Sequence, residues 1–213
     1  EQQNGQRAIL FQKSTCSDLQ ANEVPYELIS SARALHLDGF YLPAALKAAQ
    51  IARQHGVLVS FDGGAGEIRL EGIQQLLPLV DVLVVARQFA LSVSGQADIP
   101  ATGVALLQKY NPRQVIITAG EHGCWYWDSQ NHYHQPAYAV DVVDTTGAGD
   151  TFHGAYVYAC LQPNWSIPLR LKFASAVAAL KCTRLGGRKG IPNRQQTLQF
   201  LSNQGEKLDI PLE

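Results

Sequence analysis

The sequence predicts a three-layer α/β/α fold built on a mostly parallel sheet. Strand-like and helix-like segments alternate along the chain, the pattern of α/β proteins. Two of the strand segments, Val57–Phe61 and Val82–Val85, are nearly continuous apolar runs. Strands covered on both faces need such runs. The last third then reads as helix, over 151–161, about 168–182 and about 194–203.

The elements follow in order. Residues 7–12, Arg-Ala-Ile-Leu-Phe-Gln, have the character of a short strand. Ser31 to Tyr41 contains Ala-Leu-His-Leu-Asp-Gly-Phe, a strand running into a turn at Asp38-Gly39. Pro43 to His55 reads as a helix, because Ala44, Ala45, Ala48, Ile51 and Ala52 recur at helical spacing with proline near the first turn. Gly56 ends it. After the strand Val57–Phe61 comes a loop, Asp62-Gly63-Gly64-Ala65-Gly66. Helices are expected over Gly72–Leu79 and Thr102–Tyr110, and strands over Val82–Val85 and Gln114–Thr118. Gly123–Trp127 and Gln130–His134 form a hairpin around Asp128-Ser129-Gln130-Asn131. Tyr138–Val143 is expected to be a further strand.

Composition narrows the function classes. The chain has 213 residues, 46% hydrophobic and 16% charged, which predicts a globular protein with a substantial core. A net charge of −1 provides no strong overall field to recruit nucleic acid or an anionic membrane. Apolar runs fall well short of a spanning helix, and the polar start Glu1–Arg7 does not read as a signal peptide. Cysteines stand at 16, 124, 160 and 182 without a C-x-x-C pair. Cys160 and Cys182 lie in apolar helical segments as reduced core residues, which fits a cytoplasmic protein. There is no methionine, and Glu1–Leu28 reads as a strand fragment with a loop and helix rather than as an opening α/β strand. That leads to the expectation that an N-terminal part precedes Glu1.

Most of the chemical information lies in Asp144-Thr-Thr-Gly-Ala-Gly-Asp-Thr-Phe-His-Gly154. A small-residue turn opening a helix presents free N–H groups and the positive end of the helix dipole, an anion site. Gly147, Ala148 and Gly149 let a phosphate approach the backbone closely. Asp150 follows at once, placed to take a proton from an acceptor hydroxyl. Pre-aimed N–H donors and a base together point to phosphoryl transfer. A bare G-x-G-D is equally a helix-capping turn; the length of this segment favours the chemical reading.

The segment Asp144–Ala155 resembles the C-terminal signature of the ribokinase-like (PfkB) carbohydrate kinases. Thr118-Ala-Gly-Glu-His-Gly123 resembles that family's nucleotide loop, and Phe173–Pro192 its C-terminal helix and adenine-side loop. The resemblance covers nearly the whole chain. It implies the ribokinase-like fold, a single catalytic domain over 1–213 with 1–15 as a remnant of the lid, and ATP-dependent phosphorylation of a sugar. Asp150 would be the base and the N–H groups of Gly147–Gly149 the anion hole. Thr118, Gly120 and Gly123 would line the ATP phosphates and ribose, with Ser175 near the adenine and Mg2+ accompanying ATP. A monovalent cation such as K+ would sit behind the anion hole. Its ligands would be the Asp144 carboxylate and backbone carbonyls near Thr146, Lys181, Arg184, Gly186 and Gly190. A homodimer through lid strands is implied for the full-length protein. The Phe-His-Gly variant and the Thr183-to-Pro192 ending resemble most the ketohexose-type and sulfofructose-type members.

Two departures stand out. Where the family carries Asn-x-x-Glu to organise magnesium and phosphate, this chain has Ala86-Arg87-Gln88-Phe89. Arg87 either meets a phosphate or is a solvated surface group. The family's opening strand, N-terminal glycine pair and most of its lid have no counterpart. Other readings stay open: a nucleoside or vitamin kinase of the same fold, or a catalytically silent nucleotide- or sugar-sensing protein. By the same resemblance, Asp62 would order a loop at the rim of the site. His153 either packs beneath the sugar or fills the core. His132 and His134 share one face of a strand, as expected of an exposed hairpin. Arg184, Arg188 and Lys189 either face phosphates or are solvated loop charges.

Overall fold

The computed structural model describes residues 15–64 and 72–207. Among these, a six-stranded sheet has the spatial order β1-β2-β3-β4-β5-β6. The strands are β1 (Ala34–Leu37), β2 (Leu58–Asp62), β3 (Val82–Ala86), β4 (Gln114–Thr118), β5 (Cys124–Trp127) and β6 (His132–Gln135). The first four run parallel, and β5 and β6 return antiparallel as the hairpin. The helices are α1 (Tyr26–Ser30), α2 (Leu42–Gln54), α3 (Ile73–Leu76), α4 (Arg87–Ser94), α5 (Ile99–Tyr110), α6 (Ala148–Cys160), α7 (Ile167–Cys182) and α8 (Arg194–Asn203).

Strand alternation divides the core in two. Val59, Phe61, Leu83, Val85, Val115 and Ile117 pack against α2 to α5. Val82, Val84, Ile116, Cys124 and Tyr126 point the other way, onto α6 and α7. Both faces of β3 and β4 are therefore buried, and this explains their unbroken apolar runs. Each such Val or Ile contributes about 1.5–3 kcal/mol by leaving water. The expected three-layer α/β/α arrangement is the one found. No helix among the described residues is long and apolar enough to cross a membrane.

Four expectations change. Tyr138–Val143 is not a strand. The Val143 and Asp144 N–H groups both donate to the Cys182 carbonyl, at 2.8 and 3.1 Å, tying this stretch to the end of α7 instead of to the sheet. Val142 and Val143 are more than half exposed, so their apolar side chains mark no core strand. Helix α6 begins at Ala148, three residues before the expected start, because Gly147 in the left-handed region (φ 75°) caps it. Helix α5 starts at Ile99, where the Asp98 carboxylate accepts from the Ala101 N–H at 2.8 Å. Helix α4 was not expected, although Phe89, Ala90 and Val93 give it a buried face and Gly95 closes it. The expected strand at 7–12, nearly all of the expected lid remnant at 1–15, and Ala65–Gly66 of the loop after β2 lie outside the described residues.

Candidate active site

The start of α6 is held by a single carboxylate. Asp144 Oδ1 accepts the Thr146 N–H at 2.8 Å, and Oδ2 accepts the Gly186 N–H at 2.7 Å. One side chain thus fastens the loop before α6 to the loop after α7. These hydrogen bonds, those to Thr146 first, hold the Asp144 carboxyl down at about 2. Beneath it, Lys181 is fully buried, and its Nζ donates to the Asp144 carbonyl at 2.7 Å. A side chain at Gly190 would run into the Lys181 carbonyl, so the return loop needs glycine there. A Cβ at Gly147 would lie 3.2 Å from the Gly187 carbonyl, a measure of how closely the two loops pack.

This clamp sets the helix's first turn. The Ala148 N–H is taken by the Thr145 carbonyl at 3.1 Å, and the Thr151 N–H by that of Gly147 at 2.9 Å. Of the expected 147–149 donors, Ala148 is thus taken within the turn, while the N–H groups of Gly147, Gly149 and Asp150 meet no acceptor among the described residues. Thr151 Oγ1 donates to the Gly147 carbonyl at 2.6 Å and fixes the turn from inside. Gly149 and Asp150 are exposed. Unpaired N–H groups at the positive end of a helix attract an anion.

The expected nucleotide loop follows β4. Thr118 is half-buried, with its Oγ1 3.5 Å from the Val85 carbonyl. Gly120 and Gly123 have positive φ values, 58° and 84°, and a side chain at Gly123 would collide with the Gln135 carbonyl on β6. The Ala119 N–H donates to the Gly123 carbonyl at 2.9 Å, closing the turn. Ser175 is buried in α7, its Oγ 3.8 Å from Cys124 Sγ. Burial pushes that thiol up to about 12, against the opposing hydrogen bond from Ser175. Ser175 thus lies inside the α7–sheet interface rather than on an open surface.

At the position of the family's Asn-x-x-Glu, Ala86 ends β3 and Arg87 opens α4, exposed to solvent. Phe89 is a core residue, with its ring 6.2 Å from that of Phe61 and closing over Gly63. Arg184, Arg188 and Lys189 are exposed. His134 stacks on Trp125 at 4.2 Å, and its Nε2 lies 2.9 Å from the His122 carbonyl, as befits an exposed hairpin. Cys124, Cys160 and Cys182 form no disulfide.

The sequence reading did not connect Asp62 with His153. Asp62 Oδ1 accepts the Gly64 N–H at 2.6 Å and lies 3.3 Å from His153 Nε2. The His153 ring is almost wholly buried and stands 5.6 Å from that of His36. Burial pushes the His153 imidazole below its ordinary range, with Asp62 pulling the other way. The missed signal was the order of the elements. A residue ending β2 and one a turn into α6 both reach the carboxyl end of the parallel sheet, where α/β folds bind ligands.

Comparison with known proteins agrees with this geometry. Residues 1–194 match the model of the pfkB family of carbohydrate kinases. The chain is 29% identical to fructokinase-1 of Zea mays over 219 residues, 93% of this chain and 68% of that protein. It is 28% identical to probable fructokinase-2 of Arabidopsis thaliana, over 95% of this chain and 68% of that protein. An E. coli structure assigned as a ribokinase II, in complex with ATP and Mg2+, superposes with a TM-score of 0.79 at 25% identity. That match takes in 87% of this chain and 63% of the E. coli one, so the chain spans less than two thirds of that relative. The fold, the clamped start of α6 and the family match over 1–194 agree: this chain belongs to the pfkB family of carbohydrate kinases.

Proposed function

We propose that the chain carries the nucleotide-binding and phosphoryl-transfer core of an ATP-dependent sugar kinase, with Asp150 as general base. The start of α6 carries the reading. Gly149 and Asp150 offer unpartnered N–H groups there, and the Asp150 carboxylate belongs to the same turn. The γ-phosphoryl group lies against those donors, and Asp150 takes the proton of the attacking sugar hydroxyl. Bond formation to that oxygen releases ADP, and charge on the phosphoryl oxygens meets the helix start as it develops. Thr118, Gly120 and Gly123 border the nucleotide phosphates and ribose. Ser175 lies beneath the adenine rather than against it, since it is enclosed by Cys124.

The E. coli relative's complex supports ATP and Mg2+ as the co-substrate pair. Mg2+ neutralises phosphate charge when bound. Ala86–Phe89 offer it no carboxylate, so ATP oxygens, water and Asp150 are its ligands in this reading. For K+, the anionic Asp144 carboxylate suits a hard cation, together with the carbonyls of Thr146, Lys181, Arg184, Gly186 and Gly190. The Lys181 ammonium already neutralises part of that loop's negative potential. The fructokinase relatives make a ketohexose the first acceptor to test.

The deciding experiment measures ATP consumption with fructose, ribose and other sugars. It compares this chain, an N-terminally extended form and Asp150→Ala of each. Sugar-dependent turnover falling by at least about 100-fold in Asp150→Ala supports the assignment. Equal turnover in Asp150→Ala refutes it. ATP binding without turnover on any sugar favours the sensing protein, a reading that the missing Asn-x-x-Glu keeps in play. Turnover only on nucleosides or vitamins moves the substrate class.

A further inference from the structure

We propose that His36, Asp62 and His153 form a binding site for one divalent transition-metal ion of the zinc class, distinct from any ion that arrives with ATP. The three residues come from β1, the end of β2 and the second turn of α6. One donor atom from each lies within 4.8 Å of the other two. Asp62 Oδ1 and His153 Nε2 are 3.3 Å apart. Charge-assisted hydrogen bonds run shorter, at about 2.7–2.9 Å. Two ligands about 2.0–2.2 Å from a tetrahedral ion stand about 3.4 Å apart.

The surroundings orient two of the three donors. The Gly64 N–H at 2.6 Å fixes the Asp62 carboxylate. Ser60 Oγ lies 3.2 Å from His36 Nδ1, leaving Nε2 of that ring for an ion. Such outer contacts set the tautomer and aim of metal ligands. His36 is exposed on a short strand, so its side chain is the one able to turn inward and complete the set.

A plain core histidine is the competing explanation. His153 is 3% exposed, yet its Nε2 faces the Asp62 carboxylate and its ring stands 5.6 Å from that of His36, a polar grouping rather than an apolar core setting. Two imidazoles and one carboxylate suit zinc, cobalt or iron rather than magnesium or calcium, and three protein ligands leave a coordination position open. An ion there would join β1, β2 and α6 one turn below Asp150. None of this depends on the kinase reading.

The test is a Co2+ titration of the metal-free protein followed by its visible absorption, with Zn2+ added as competitor. The variants are His36→Ala, His153→Gln and, as an exposed control, His134→Ala. The expected result is one Co2+ per chain with ligand-field bands, displaced by one equivalent of Zn2+. Affinity falls at least 10-fold in His36→Ala and His153→Gln and is unchanged in His134→Ala. If wild type binds Co2+ no more tightly than His36→Ala, or if His134→Ala removes the bands, the site does not exist as proposed. His36 is exposed, so its variant decides the matter even where His153→Gln fails to fold.

Discussion

Each oxygen of the Asp144 carboxylate holds a backbone N–H from a different loop, and the Lys181 ammonium holds the carbonyl of the same residue. These hydrogen bonds thus position a helix start that carries Asp150, the base proposed above, six residues further on. In Asp144→Ala the Thr146 and Gly186 N–H groups lose their acceptor, and the first turn of α6 no longer has a fixed place. Displacing reacting groups by about 1 Å costs up to about 100-fold in rate. Asp144→Ala is therefore expected to lower turnover by roughly 10- to 100-fold with the fold intact, as circular dichroism and steady-state kinetics would show. Unchanged turnover would mean that the loops hold their geometry without it. The sequence made Asp144 and Asp150 legible because both stand in one contiguous motif. The buried Lys181 ammonium and the Asp62–His153 approach were not legible. Each depends on which side chains meet across elements, and no local spacing encodes that.

At the scale of elements, alternation and continuous apolar runs located β2 to β4 within a residue or two, since burial on both faces leaves little freedom of composition. The stretch 138–143 misled for the converse reason: β-branched residues there belong to an extended segment hydrogen-bonded to the end of α7 rather than to a strand. Helix α5 carries a further test of packing. Gly103 sits in its middle, and a Cβ there would enter the Trp127 ring, which is buried between α5 and the sheet. On an open helix Gly→Ala gains about 1 kcal/mol. Here overpacking against an immobile ring costs about 1–3 kcal/mol. Gly103→Ala is expected to destabilise by up to about 2 kcal/mol in urea unfolding, with altered Trp fluorescence in the folded state. A stabilised variant would show that the α5–β5 contact has room to relax.

For the molecule as a whole, α7, the segment after α8 and the stretch 138–143 are tied together at Glu206, which accepts from Lys172 Nζ at 2.6 Å and from the Tyr138 hydroxyl at 2.8 Å. The Lys172 bond first, then that of Tyr138, lowers the Glu206 carboxyl below its ordinary 4.5. A depressed carboxyl adds stability above its unfolded value and loses it as pH falls through the folded one. Glu206→Gln is thus expected to cost about 1 kcal/mol at pH 7 and nothing below the folded value, so that its acid unfolding limb is flatter below pH 4.5 than the wild type's. Helices α6 and α7, with the end of β4 and the loop after it, contain every group proposed to border the nucleotide. The chain spans 63% of the E. coli relative. Nucleotide binding and sugar binding can be read separately on this chain by their effects on its stability. A ligand at 100 times its Kd stabilises the folded state by about 2.7 kcal/mol, which for a domain of this size raises Tm by roughly 5–10 °C. ATP with Mg2+ is expected to produce that shift in a thermal melt of the 213-residue chain, and fructose alone to leave Tm where it is. The N-terminally extended form should respond to both. A shift with fructose in the short chain would place the acceptor pocket within residues 1–213. No shift with ATP would count against the start of α6 as a phosphate site.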